Sequence, residues 1–115
     1  MSLRFVILHH TGIPLPHFDL MFEPSEGAML STFRFSKWPL THPAAIEKLP
    51  DHRRDYLTYE GLLSDNRGTV KRVAGGTFHF EVRSDDALTL DLDNTIRLTL
   101  TNTAAGWSAR VDQTP

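Results

Sequence analysis

The segment His10-Thr-Gly-Ile-Pro-Leu-Pro-His17-Phe-Asp19-Leu sets two imidazoles and a carboxylate close together in the chain. Two histidines and one carboxylate suit zinc, manganese or ferrous iron, with coordination positions left open for water or substrate. Side chains alternate faces along an extended strand, so His17 and Asp19 point one way while Phe18 and Leu20 point the other, toward a core. His10 follows an apolar run that begins at Leu3, and a hairpin through the intervening loop delivers its ring beside His17. His9 faces away from His10 in extended chain, so only one of that pair is a ligand. By residue type alone, both His10 and His17 also read as polar groups on a half-exposed strand face.

The elements that must position these groups are strands. Strand-like runs cover residues 3–9, 17–23, 28–35, 69–73, 76–82, 87–92, 95–101 and 106–111, separated by turn-forming clusters such as 24–27, 64–68 and Asp93-Asn94. Gly75-Gly76 reads as a turn between two strands. In the last third, Leu88, Leu90 and Leu92, then Ile96, Leu98 and Leu100, alternate with polar residues and place one apolar face inward. The exception is His42-Pro-Ala-Ala-Ile-Glu-Lys-Leu49, where Pro43 suits the first position of a short helix and Pro50 ends it. The pattern predicts a mainly β fold: a small antiparallel β-barrel of about eight strands with one or two short helical turns.

A chain of 115 residues fits one domain spanning 1–115, with a single site. The absence of cysteine excludes disulfides, thiolate metal sites and thiol nucleophiles, which leaves histidines and carboxylates as the strong metal ligands. No apolar run reaches membrane-span length and no secretion signal opens the chain, so the expected location is cytoplasmic with no membrane partner. A net charge of −2 argues against nonspecific coating of nucleic acid. Residues 34–72 nevertheless carry eight basic and five acidic side chains, against four and nine elsewhere, so the middle of the chain is a candidate anion-binding surface. Trp38, Trp107, Phe5, Phe33, Phe35, Phe78 and Phe80 read as barrel filling, with Trp38 also placed to wall a cleft. His42 and His79 have no partner at ligand spacing.

Taken in order and spacing, His17-Phe-Asp19-Leu, Phe33-Arg-Phe-Ser-Lys37, Asp51-His52-Arg-Arg-Asp55-Tyr56, Tyr59-Glu60-Gly61, Gly68-Thr-Val and Gly76-Thr-Phe78 resemble the 3′-phosphoesterase module of the bacterial DNA ligase D family, over residues 4–82. The resemblance implies a manganese-dependent enzyme of DNA repair and non-homologous end joining. Such an enzyme removes a terminal ribonucleoside, then the 3′-phosphate, from a DNA primer strand. It implies that His10, His17 and Asp19 hold the metal, most naturally Mn2+ with Zn2+ as the alternative. It further implies that His52 contacts the phosphate, that Tyr56 is an active-site tyrosine and that Lys37 binds the anion. Glu23 matches the acidic residue that follows the metal-binding strand. The implied partners are DNA or DNA–RNA strand 3′ ends and a ligase or polymerase acting in trans, with the chain itself a monomer.

The chain departs from that family at three places. Met21 stands where an arginine is usual two positions after the metal-binding aspartate, and Ala44 stands where a basic residue is usual. The spacing of the first two histidines is one residue longer, so either His10 is the ligand across an insertion or the first ligand is lost. Arg34, Lys48, Arg53 and Arg54 are the cations available as substitutes, so Lys48, Arg53 and Arg54 join Lys37 as substrate-binding candidates. Two other readings follow from the same residues. One is a catalytically degenerate module that binds metal and phosphate ends. The other is a non-haem iron centre built from His17, Asp19 and His52.

Overall fold

A computed structural model describes residues 2–113 of the chain. Strand accounts for 60% of the protein and helix for 4%, in a nearly closed antiparallel barrel of nine strands with one 3-10 turn. The strands are β1 Leu3–Thr11, β2 His17–Phe22, β3 Leu30–Phe35, β4 Ala44–Ala45, β5 Glu47–His52, β6 Gly61–Leu62, β7 Thr69–Arg83, β8 Ala87–Leu92, β9 Ile96–Thr103 and β10 Gly106–Gln113. Their order around the barrel is β4-β10-β9-β8-β7-β1-β2-β3-β5, and β6 pairs with β7 off this path.

One segment closes the barrel. β4 pairs with β10, β5 pairs with β3, and between them the Ile46 N–H donates to the Trp107 carbonyl at 3.0 Å. Residues 44–52 are therefore a single extended run that crosses from one sheet edge to the other. This corrects the helix expected over 42–49. A short isolated helix is marginal in water, whereas the extended form satisfies two otherwise unpaired edges. Pro50 does not end an element either. The register between Leu30–His52 and Thr32–Leu49 leaves an extra residue on β5, so Pro50 falls at an irregularity where a missing N–H is tolerated. The helical turn is instead Arg54–Leu57.

Gly75-Gly76 is likewise not a turn. β7 runs straight through it against β1, with its register shift between Ile7–Ala74 and Leu8–Arg72.

Inside the barrel, Phe5, Ile7, Leu20, Phe22, Phe33, Phe35, Phe78, Leu90, Leu92, Leu98 and Leu100 form the main core, with Trp38, Phe80 and Trp107 packed against it. Trp38 meets Phe35 edge-on at 5.8 Å and so belongs to this filling. The alternate residues of β1 and β2, Val6, Leu8 and Met21, face outward yet are also buried, because Leu57 and Val70 join them with Tyr56 and Leu63 in a second cluster. The connection from β5 to β7 thus lies over the outer wall at β1 and β2. Burial on both faces explains why Phe5-Val-Ile-Leu8 is continuously apolar rather than alternating. Among the described residues no helix is long and apolar enough to cross a membrane.

Candidate metal centre

The β1–β2 hairpin pairs His10 directly with His17, and Leu8 with Asp19. All three candidate ligands consequently share the outer face, next to the second cluster. His9 takes the other face and stacks on Phe18 at 4.3 Å. His10 Nδ1 lies 3.1 Å from His17 Nε2, and His17 Nε2 lies 3.4 Å from Asp19 Oδ2. The three donor atoms fall within 4.8 Å of one another. His17 and Asp19 are buried and His10 is half-buried.

The remote nitrogens decide the chemistry. His10 Nε2 is 2.5 Å from the Arg67 carbonyl and His17 Nδ1 is 3.0 Å from the Leu15 carbonyl. A carbonyl accepts only, so each of those nitrogens carries the proton and donates. The facing nitrogens, His10 Nδ1 and His17 Nε2, then both present lone pairs toward each other and toward the Asp19 carboxylate. Lone pairs at 3.1 Å repel unless a cation or a shared proton lies among them. Backbone carbonyls that orient imidazoles from behind are the usual support of metal-ligating histidines.

Local sequence builds this support. Pro14 and Pro16 restrict the loop that presents the Leu15 carbonyl. Gly68 adopts φ +89, and a Cβ there would meet the Thr11 carbonyl oxygen at 2.2 Å and His10 Nε2 at 3.2 Å. Only glycine lets the Arg67–Gly68 backbone come this close to His10. Neither Gly68 nor the two carbonyls stood out by residue chemistry, because their partners are remote in sequence or lie on the main chain.

Asp19 stands opposite Arg34 across β2 and β3, and Arg34 Nε donates to Asp19 Oδ1 at 3.1 Å, leaving Oδ2 toward the histidines. The two Nη groups of Arg34 make no hydrogen bond among the described residues. His17 and Arg34 line an open cavity of about 670 Å³, walled by Ile13, Leu15, Pro16 and Ile46.

Neither a protein-family model nor a curated protein matches this chain.

The remaining candidates are spread apart. His52 pairs with Leu30, whereas Asp19 is level with Arg34 on β3. Four residues and two strand spacings put the two Cα atoms on the order of 15 Å apart. That excludes His17, Asp19 and His52 as one facial triad. His52 Nδ1 instead donates to the Pro50 carbonyl at 2.8 Å, and its ring meets Tyr56 edge-on at 5.7 Å. Lys37 is exposed in the bend after β3. Lys48 pairs with Phe33 and holds its ammonium 5.4 Å from that ring, on the face of the sheet opposite His17. Arg53 is exposed beside Tyr56 and Tyr59.

Arg54 is committed elsewhere, donating to Glu23 Oε2 at 2.5 Å and to the Ala28 carbonyl at 3.0 Å. Glu23 is buried and also accepts from the Arg4 N–H at 2.7 Å. Burial pushes the Glu23 carboxyl up, but the Arg54 guanidinium with the Arg4 and Gly27 N–H groups outweighs it and holds the group below its ordinary range. Arg67 and Arg72 are similarly tied to Ser64 and to the Leu57 carbonyl. Three of the eight cations of residues 34–72 thus fasten the outer connection.

Met21 is 2% exposed, inside the second cluster on the same face as Asp19. Arg34, reaching Asp19 from the neighbouring strand, is the cation found there.

Proposed function

We propose that the chain is a metal-dependent phosphoesterase acting on 3′ ends of DNA or DNA–RNA strands, with His10, His17 and Asp19 holding the ion, Mn2+ or Zn2+. The observation that carries the reading is the convergence of three lone-pair donors whose outer nitrogens are both pinned by main-chain carbonyls. A neutral donor pair plus one carboxylate fits a divalent ion and leaves it net positive. Such an ion, when bound, polarises a phosphoryl oxygen and lowers the pKa of a bound water toward neutrality.

The rest falls to the chain. Arg34 orients Asp19 through its Nε and also lines the cavity, where its guanidinium is the cation available to a phosphate oxygen. Ile13, Leu15, Pro16 and Ile46 give that cavity an apolar wall suited to a sugar or base beside the phosphate. Lys37, His52 and Tyr56 enter this account only through a substrate long enough to reach them or a movement of the outer connection. The resemblance to the ligase D module supports the substrate class and a role in end repair, with a ligase or polymerase supplied in trans.

A second reading, a module that binds metal and phosphate ends without turnover, is favoured by the burial of Met21 and by the distance of His52 from Asp19. The test is manganese-dependent trimming of a labelled primer–template bearing a 3′-ribonucleotide or a 3′-phosphate. Trimming that His17→Ala abolishes supports the enzyme. Metal-dependent retention of the 3′-phosphate strand without trimming supports the binding module, and neither result in wild type refutes both.

A further inference from the structure

We infer that the barrel carries a second divalent-cation site, formed by His79 and Glu81 of β7 with Asp91 of β8. Their donor atoms lie within 4.8 Å of one another. His79 pairs with Asp91 across the ladder, with His79 Nε2 at 3.5 Å from Asp91 Oδ2. Glu81 is the extra residue of a β-bulge, between the Phe80–Leu90 and Val82–Thr89 pairs, a device that re-aims side chains. The three residues are adjacent through strand pairing, which is why His79 had no visible partner in the sequence.

A second observation points to a ligand. Asp91 is only 6% exposed, and its Oδ1 is buried with no hydrogen-bond partner. A carboxylate oxygen removed from water without a partner is costly, and a cation on that carboxylate is the direct remedy. The surroundings favour positive charge. His79 and Asp91, but not Glu81, line with Asp93 a polar cavity of about 130 Å³, and a bound water occupies roughly 30 Å³ in the liquid, so an ion on those two residues has room for waters on that side. Asp93 is seated over β7 because Gly76 has no Cβ, whose position would lie 3.3 Å from the Asp93 carboxyl carbon. Three carboxylates thus face one guanidinium, that of Arg97, which stands opposite Asp91 across β8 and β9 and contacts both Glu81 oxygens, at 2.6 and 3.3 Å, so an ion takes Glu81 in competition with it.

A ligand set of one imidazole and carboxylates suits zinc or a similar borderline ion. The ion at this position fastens the mostly exposed second half of β7 to β8. The site is distinct from the first: His10 pairs with Val70, nine residues back along β7 from His79.

The test uses untagged chain and zinc alone. His17→Ala removes the first centre, and calorimetric titration of that variant is expected to give one zinc per chain, with a rise in Tm. Adding His79→Ala, at a side chain that is 59% exposed and therefore safe for folding, is expected to abolish both. Asp91→Asn in the same background is expected to do likewise. The inference is overturned if His17→Ala binds no zinc, or if either second substitution leaves the stoichiometry at one.

Discussion

Gly68→Ala separates backbone strain from the support of the metal centre, because Gly27 provides an internal control. Both glycines have positive φ, +89 and +80. Alanine in that region costs about 1–2 kcal/mol at either position. At Gly27 nothing lies within 4 Å of the new Cβ, so the cost ends there. At Gly68 the Cβ falls 2.2 Å from the Thr11 carbonyl oxygen and 3.1 Å from Ile13 Cγ2. A main-chain oxygen cannot rotate away, so the strand must shift, adding about 1–3 kcal/mol. At about 4 °C per kcal/mol for a domain of this size, Gly27→Ala lowers Tm by roughly 4–8 °C and Gly68→Ala by roughly 8–20 °C. The shift also breaks the His10 Nε2 bond to the Arg67 carbonyl, and loss of such an orienting partner weakens metal binding about 10–100-fold. Melts in chelator, with manganese titrations in a His79→Ala background, read both quantities. The reasoning is refuted if Gly68→Ala binds manganese as tightly as wild type, or if Gly27→Ala weakens binding equally.

Further outcomes follow from the same contacts. Met21→Arg buries a guanidinium among Val6, Leu8, Leu30 and Leu57, so urea unfolding is expected to show a loss of about 2–5 kcal/mol rather than a gain in trimming. Arg34→Lys keeps one charge beside Asp19 but loses the fork, so trimming falls roughly tenfold or more while manganese still binds. Lys48→Ala, at an exposed side chain on the face of the sheet opposite His17, leaves trimming within about twofold, since surface changes away from a site are nearly neutral. Because the folded Glu23 carboxyl titrates below its unfolded range, its stabilisation is complete above the unfolded pKa and disappears as pH falls through the folded one. Glu23→Gln is therefore expected to cost about 2 kcal/mol at neutral pH and to flatten the acid limb of a stability–pH profile.

The barrel was legible because alternation in β8 and β9 encodes one buried face, and because turn residues punctuate the chain. The run 42–49 misled because its helical features are local, whereas its pairing with β10 and β3 closes the barrel through residues far away in sequence. Gly75-Gly76 misled for a related reason: the glycines serve close approach inside a strand. His10, His17 and Asp19 were visible because one hairpin brings them together. The pairing of His79 with Asp91 and the hold of Arg54 on Glu23 depend on tertiary register, which spacing alone does not carry. Arg34 was visible as a charge, but its place opposite Asp19 needed the β2–β3 alignment.

The most direct test of the metal centre is two-bond 1H–15N correlation NMR of the imidazoles of untagged protein, before and after one equivalent of zinc in a His79→Ala background. The account predicts that His10 keeps its proton on Nε2 and His17 on Nδ1, and that His10 Nδ1 and His17 Nε2 take the shift of metal coordination. Protonation of either facing nitrogen in the zinc-loaded protein, or zinc binding that leaves both nitrogens unshifted, would contradict it.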